Sequence, residues 1–195
     1  MRDEILRANE SDWEKLVTKC TTPSRKPVFY QKHMTHHMLE GYDRSFINQL
    51  SNAFLIRKPE NVLASYARKW SDVDLRAIGF VAQAEIFDQV SQRTGAAPPV
   101  IDAEDVLENP RQVLGSLCTR LGIAFDENML RWPKGPKPFD GVWAPHWYNA
   151  VWQSDGFSKP EPKVVELPAQ LQKIADAARP HYEALRAFAI QPEAA

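Results

Sequence analysis

The stretch N52-A-F-L-I-R-K-P-E-N-V-L-A-S-Y66 decides the fold, because a short buried strand runs in it directly into the start of a helix. Ala53, Phe54, Leu55 and Ile56 form a continuous apolar run bounded by polar residues, the pattern of a strand covered on both faces. Arg57 follows at its carboxyl end. Pro59 suits the first helical position, where a missing N–H costs nothing and the fixed φ already fits. Val62, Leu63, Tyr66 and Trp70 recur at helical spacing, with Arg57 and Ser65 as polar groups around the amino end of that helix. An anion held there meets a guanidinium, a hydroxyl and the helix dipole. The competing account is that Arg57 is a solvated loop residue and that the Ser65 hydroxyl bonds back to a carbonyl of its own helix.

Outward from this segment, the pattern alternates. Residues 4 to 20 read as an amphipathic helix, Val28 to His33 as a strand, and Arg44 to Leu50 as a short helix. A long helix is expected over Asp74 to Arg93, then a buried strand at Pro99 to Asp102. Asn109-Pro110 opens a helix carrying Val113, Leu114, Leu117 and Leu121, and Gly122 stops it. Residues 131 to 162 are rich in Pro, Trp and Gly with little periodicity. Glu166 to Phe188 returns to helical spacing, with Pro180 expected to kink or break it. Strands separated by helices predict a mainly parallel α/β sheet that binds ligands at the carboxyl ends of its strands, where Arg57 and His33 both fall. One domain over residues 1–190 and a frayed tail at 191–195 account for the length.

Composition removes several classes of function. The chain has 195 residues, 44% of them apolar, with 24 Lys plus Arg against 25 Asp plus Glu. No global basic field points to nucleic acid. The amino-terminal residues mix both charge signs and lack the apolar core of a signal peptide, and no apolar run is long enough to cross a bilayer, so a cytoplasmic protein is expected. Cys20 and Cys118 are far apart in sequence and belong to no CxxC pair, so they are expected to be buried free thiols.

Two further clusters carry chemistry. Lys32 and His33, followed by His36 and His37, concentrate three of the five histidines in one loop. His33 suits a general base because its pKa is near neutrality, and Lys32 can neutralise charge on a leaving oxygen. A zinc site from these histidines lacks a fourth ligand, so no metal is expected. Lys134, Gly135, Lys137 and Gly141 can wrap backbone donors and ammonium groups around an anion, with Trp143, Trp147 and Trp152 as cover; a hydrophobic lid with solvated lysines explains the same residues equally well. Glu104 and Asp105, read as strand neighbours pointing to opposite faces, are assigned structural or capping roles.

Taken in order, these clusters resemble the sulfotransferase superfamily, and in particular a divergent branch sometimes fused to aminotransferase-like domains. The resemblance implies a P-loop NTPase-like parallel sheet flanked by helices. It implies 3′-phosphoadenosine 5′-phosphosulfate (PAPS) as sulfuryl donor, a small-molecule acceptor hydroxyl or amine, and no metal. Arg57, Lys58, Pro59 and Ser65 are similar to the family segment R-x-P…S, whose Arg and Ser hold the donor 3′-phosphate. Lys32-His33 resembles the K-x-H strand end that supplies the base, one residue shorter here, so His36 and His37 are alternatives. Ala103 to Ile123 is similar to YEDL-x-x-x-P, with Ala103 where an adenine-contacting Tyr is common. Lys134 and Gly135, with Gly141, Trp143 and His146, resemble the KG…GDW…H loop that closes over the 3′-phosphate. The Gly/Ser/Arg-rich loop for the 5′-phosphosulfate is not found, since none of the eight glycines precedes Gly41. The chain is therefore expected to lack the family's first βα unit. A non-catalytic nucleotide-binding or interaction remnant of the same fold is the alternative function. A kinase-like reading lacks GxxxxGK[ST].

Overall fold

The computed structural model describes residues 2–39, 41–69, 72–159 and 165–191. They fall in two compact units, Met1–Gln31 with Asp126–Ser158, and Lys32–Phe125 with Lys159–Ala195.

In the second unit, β1 (Phe54–Ile56) pairs in parallel with β2 (Val100–Asp102), in the register Phe54 with Val100 and Ile56 with Asp102. Between them run α3 (Pro59–Tyr66) and α4 (Phe80–Thr94), and after β2 come α5 (Ala103–Glu108), α6 (Pro110–Leu121) and α9 (Ala169–Arg186). This is an α/β arrangement, mostly helical around a small parallel sheet. Val100, Ile56 and Phe54 are buried, but Leu55 is 56% exposed, so β1 is covered on one face and not on both as its apolar run suggested. A three-residue strand whose alternate side chains point to opposite faces needs a layer on each side to bury all three, and here the layer is helical and one-sided.

The helix boundaries show where local chemistry governs. Pro59 stands at the first position of α3, Asn109 caps α6 through its side chain and the Gln112 N–H, and Gly122 ends it at φ 68°. The expected single helix over residues 4 to 20 is two, α1 (Arg2–Ala8) and α2 (Trp13–Thr21). Between them Glu10 accepts hydrogen bonds from the Ser11 and Asp12 amides, and Asp12 caps the Lys15 N–H at 3.1 Å, so side chains have taken the donors a continuous helix would use. Similarly α4 begins at Phe80 and not at Asp74. Gly79 is left-handed at φ 75°, and a Cβ there would lie 2.7 Å from Thr35 Oγ1. Only glycine admits that turn.

Two expectations fail for non-local reasons. Val28 to His33 forms no strand: these residues have no ladder partners, and Tyr30 is 82% exposed. Pro180 does not break α9, which runs through it to Arg186. The proline penalty of about 3 kcal/mol is offset by burial on both sides of it, at Ala175, Ala178, Tyr182 and Leu185, and by ion pairs from Arg179 to Glu60 and from Arg186 to Asp105. Ala175 and Ala178, both fully buried, let α9 approach α3 and α4 closely. Trp70 and the tail 192–195 lie outside the described residues.

Among the described residues the core of this unit contains one buried charge, Asp102, 1% exposed. Its Oδ1 accepts from the Glu104 N–H at 2.9 Å, and its Oδ2 accepts from the Tyr182 hydroxyl at 2.7 Å with Arg186 Nε at 3.7 Å. Burial and then the Asp102 carboxylate raise the Tyr182 pKa, so the phenol remains a donor. Hydrogen bonds to charged groups contribute about 1.5–3 kcal/mol. Tyr182→Phe should therefore lower the unfolding free energy by about that amount, read as a lower urea midpoint at unchanged m-value.

Candidate functional site

The carboxyl ends of β1 and β2 lie side by side, and the groups beyond them form the candidate site. Arg57, the first residue past β1, is exposed and makes no hydrogen bond or ion pair among the described residues. Lys58 is the N-cap residue of α3 and contributes no side-chain cap; Pro59 has no N–H and the Asn61 N–H donates to the Lys58 carbonyl at 3.1 Å, which leaves the Glu60 N–H of the first turn open. Lys58 instead turns to Glu104, with Nζ 2.7 Å from Glu104 Oε2, while Asn61 Nδ2 donates to Glu104 Oε1 at 2.7 Å. The bond to Glu104 raises the Lys58 pKa and keeps the amine charged.

Ser65 lies in the last turn of α3, six residues and thus about 9 Å along the axis from Pro59. The hydroxyl and the start of the helix therefore do not converge on one atom as the sequence reading had them; the long Arg57 side chain is the group that can act together with Ser65. Several helical hydroxyls bond back to the carbonyl four residues earlier, including those of Thr18, Thr21, Ser91, Thr94 and Thr119. The half-buried Ser65 has no hydrogen bond among the described residues, so its hydroxyl is open to a ligand.

Lys32 and His33 stand on the irregular segment that enters a 3₁₀ turn at Thr35–His37, and not at a strand end. The turn is tied to α4, with Thr35 Oγ1 donating to the Gly79 carbonyl at 3.0 Å. One helical turn on, Gln83 Nε2 donates to the Leu55 carbonyl of β1 at 2.9 Å. The start of α4 thus anchors both the histidine turn and the strand that delivers Arg57, through residues about 6 Å apart along one helix. His33 sits edge-on to the buried Phe46, ring centroids 6.3 Å apart, and Lys32 is exposed. Partial burial lowers the pKa of His33, His36 and His37 below the ordinary 6.5, and the neighbouring ring at 4.3 Å lowers His36 further. At pH 7 each imidazole is neutral and able to accept a proton. Among the described residues no group of three His, Cys, Asp or Glu side chains is arranged to hold a metal.

Lys134 and Gly135 belong to the other unit, together with the helices α7 (Ala144–Trp147) and α8 (Asn149–Gln153). Their loop is closed on itself. The Gly135 N–H donates to the Trp152 carbonyl at 2.8 Å, the Lys137 ammonium donates to the Pro133 and Gly135 carbonyls, and Lys134 is 3.5 Å from Asp155. Asp140 Oδ2 fastens the turn, accepting from the Lys137 N–H at 2.7 Å and from Trp152 Nε1 at 2.9 Å. The Gly135 donor expected to face an anion is thus already engaged. Gly141 carries the Trp143 ring so closely that a Cβ would fall 2.3 Å from it.

Sequence reasoning passed over Lys58, Asn61 and Glu104 as a group. The signal was present in the spacing: Ile56 pairs with Asp102, so Lys58 and Glu104 each stand two residues beyond paired strand ends.

The family model described as sulfotransferase domain matches residues 1–189. The chain belongs to the sulfotransferase domain family. Two relatives from Arabidopsis thaliana are branched-chain-amino-acid aminotransferase-like protein 2, 33% identical over 186 residues, and aminotransferase-like protein 1 of the same description, 34% identical over 186 residues. Each match takes in 95% of this chain and 33% of the relative, so this sulfotransferase domain spans about a third of the length of the curated relatives it matches. Among solved structures, it is similar to the sulfotransferase domain from the curacin biosynthetic pathway, at 18% identity and a TM-score of 0.38, over 65% of this chain and 52% of that one. It is also similar to the sulfotransferase domain from the Synechococcus PCC 7002 olefin synthase, at 18% identity and a TM-score of 0.35, over 69% and 54% respectively. Among the described residues no helix is long and apolar enough to cross a membrane.

Asp140→Ala should release the Lys134–Gly135 loop. Each lost bond to a carboxylate is worth about 1.5–3 kcal/mol, so the Lys137 amide and the Trp152 indole N–H should exchange with deuterium about tenfold faster or more. Unaltered exchange at both would show that the turn holds without Asp140.

Proposed function

We propose that this sulfotransferase domain binds PAPS and transfers its sulfuryl group to the hydroxyl or amine of a small acceptor in the cytoplasm, without a metal. The observation that carries the reading is the unengaged Arg57 guanidinium beyond β1, beside an uncapped helix start and followed by the unbonded Ser65 hydroxyl. This donor set fits the donor's 3′-phosphate. Arg57 supplies charge-assisted hydrogen bonds and Ser65 a hydroxyl.

When bound, PAPS supplies the sulfuryl group and the leaving phosphate oxygen. His33, neutral at pH 7, takes the proton from the acceptor hydroxyl as the new O–S bond forms, and the Lys32 ammonium stands ready for charge on the departing oxygen. His36 and His37 are neutral as well and share the turn, so either can replace His33 as base. The Lys134–Gly135 loop, assigned to the donor by resemblance, is closed on itself, with the Gly135 N–H engaged by the Trp152 carbonyl.

That closed loop favours a second reading, a nucleotide-binding or interaction module without turnover. Binding of 3′-phosphoadenosine 5′-phosphate with no sulfuryl transfer across a broad panel of hydroxyl acceptors would select it.

Arg57→Ala should weaken binding of 3′-phosphoadenosine 5′-phosphate by about 10- to 150-fold in calorimetry, the equivalent of 1.5–3 kcal/mol for hydrogen bonds from a charged donor. Unchanged affinity would remove the 3′-phosphate site. In turnover with PAPS, kcat/KM should fall on the acid side of pH 6.5, because burial lowers the His33 pKa and protonation abolishes the base. His33→Ala should cut the rate by about 10²–10⁴-fold and remove that acid limb; full turnover by this variant would exclude His33.

A further inference from the structure

The carboxylate of Glu104, on the helix that follows the neighbouring strand, lies beside the proposed phosphate site. By charge alone it should oppose an anion. Both of its oxygens are nevertheless committed, and both to the β1–α3 junction: Oε2 to Nζ of Lys58, the N-cap residue of α3, and Oε1 to Nδ2 of Asn61, two residues after Pro59. One side chain thus holds the residue adjacent to Arg57 and the first turn of the helix that follows it.

Glu104 is itself fixed from behind. It lies in the first turn of α5, and its N–H donates to Asp102 Oδ1 at 2.9 Å. Asp102 Oδ2 accepts from Tyr182 in the buried face of α9. The chain of bonds therefore runs from the core helix through Asp102 and Glu104 to the junction that carries Arg57. On the other side Arg57 follows Ile56, whose place is set by the pairing with Asp102. The same two strands, in one register, hold the guanidinium's backbone from both directions.

We propose that Glu104 is a positioning residue for the phosphate site, clamping Lys58 and Asn61 so that Arg57 is presented to the ligand in one place. It also occupies the Lys58 ammonium, leaving Arg57 as the cation of this junction open to an anion. The proposal rests on the reading of Arg57 and Ser65 as a 3′-phosphate site. It gives Glu104 a function where the sequence allowed only a structural or capping role.

Positioning and charge predict opposite signs, which makes the role measurable. Calorimetry on the full chain compares 3′-phosphoadenosine 5′-phosphate with adenosine 5′-phosphate, which lacks the 3′-phosphate, for the unaltered protein and for the Arg57→Ala, Glu104→Ala and Glu104→Gln variants. Glu104→Ala should reduce the preference for the 3′-phosphorylated nucleotide by about fivefold or more, within the range of coupling between contacting residues. Glu104→Gln, which keeps an oxygen for Asn61 and loses the ion pair with Lys58, should show a smaller loss. If the alanine variant does not fold, Glu104→Gln and Lys58→Met each sever the ion pair alone and must weaken the preference.

A merely structural role would lower the melting temperature and leave the preference intact, which overturns the proposal. So does tighter binding in Glu104→Gln, the outcome if the carboxylate acts only by repulsion. Loss of preference in Arg57→Ala with none in the Glu104 variants removes the role of Glu104 and keeps the phosphate site. No preference in the unaltered protein, or the same preference in Arg57→Ala as in the unaltered chain, removes the phosphate site and this role together.

Discussion

A single buried carboxylate organises the larger unit. Asp102 ends β2, caps α5 through the Glu104 N–H, and receives the Tyr182 hydroxyl and the Arg186 guanidinium from α9. An ionised carboxylate with almost no solvent contact is tolerable only when its lone pairs are occupied by hydrogen bonds and an opposite charge is near. Those partners come from residues two and about eighty positions away in sequence, so the charge can be accommodated only when strand, capped helix and carboxy-terminal helix are all in place. The constraint also sets direction: the strand that buries Asp102 stops there, where the same side chain accepts from the Glu104 N–H and caps the next helix.

From that fixed end the site follows by register. The parallel pairing of Ile56 with Asp102 sets the two strand exits level, so residues at equal distance past each strand face one another. Lys58 and Glu104 meet for this reason, and Arg57 is left without a partner between a ladder and an ion pair. A second anchor comes from α4, whose first turn is bonded both to the Leu55 carbonyl and to the turn of the histidines. The histidine turn and Arg57, more than twenty residues apart, are thus referred to one short piece of helix. The Lys134–Gly135 loop, in the other unit, is organised by its own carboxylate, Asp140.

Much of the fold was legible because its determinants are local. Pro59, Asn109 with Pro110, and Gly122 mark helix ends through their own backbone restrictions and side-chain caps, and each stands where it was read. The apolar runs at Phe54–Ile56 and Val100–Asp102 are strands, in parallel. Of the residues read as candidate site, Arg57 follows the strand as assigned and Ser65 lies on the assigned helix but in its last turn and not at its amino end, while Glu104, dismissed as a strand neighbour of Asp105, sits on a helix because the Asp102 side chain begins one. Val28 to His33 has strand-like composition but no ladder partner. A strand is a property of two segments, and composition describes one.

By itself the sequence determined the short-range facts: where the chain turns, which helices start and stop at Pro, Asn and Gly, which apolar runs can be buried, and that its motifs in order match the sulfotransferase domain family. These depend on residues within a few positions of one another. Tertiary structure decided the rest. It decided that α9 continues through Pro180, since packing at Ala178 and Tyr182 outweighs one missing hydrogen bond, and that Leu55 stays exposed. It decided that Lys58 is engaged while Arg57 is open, and that Gly135 has spent its donor on Trp152. Each of these depends on which distant group arrives, and pairing between distant groups is set by strand register and helix packing.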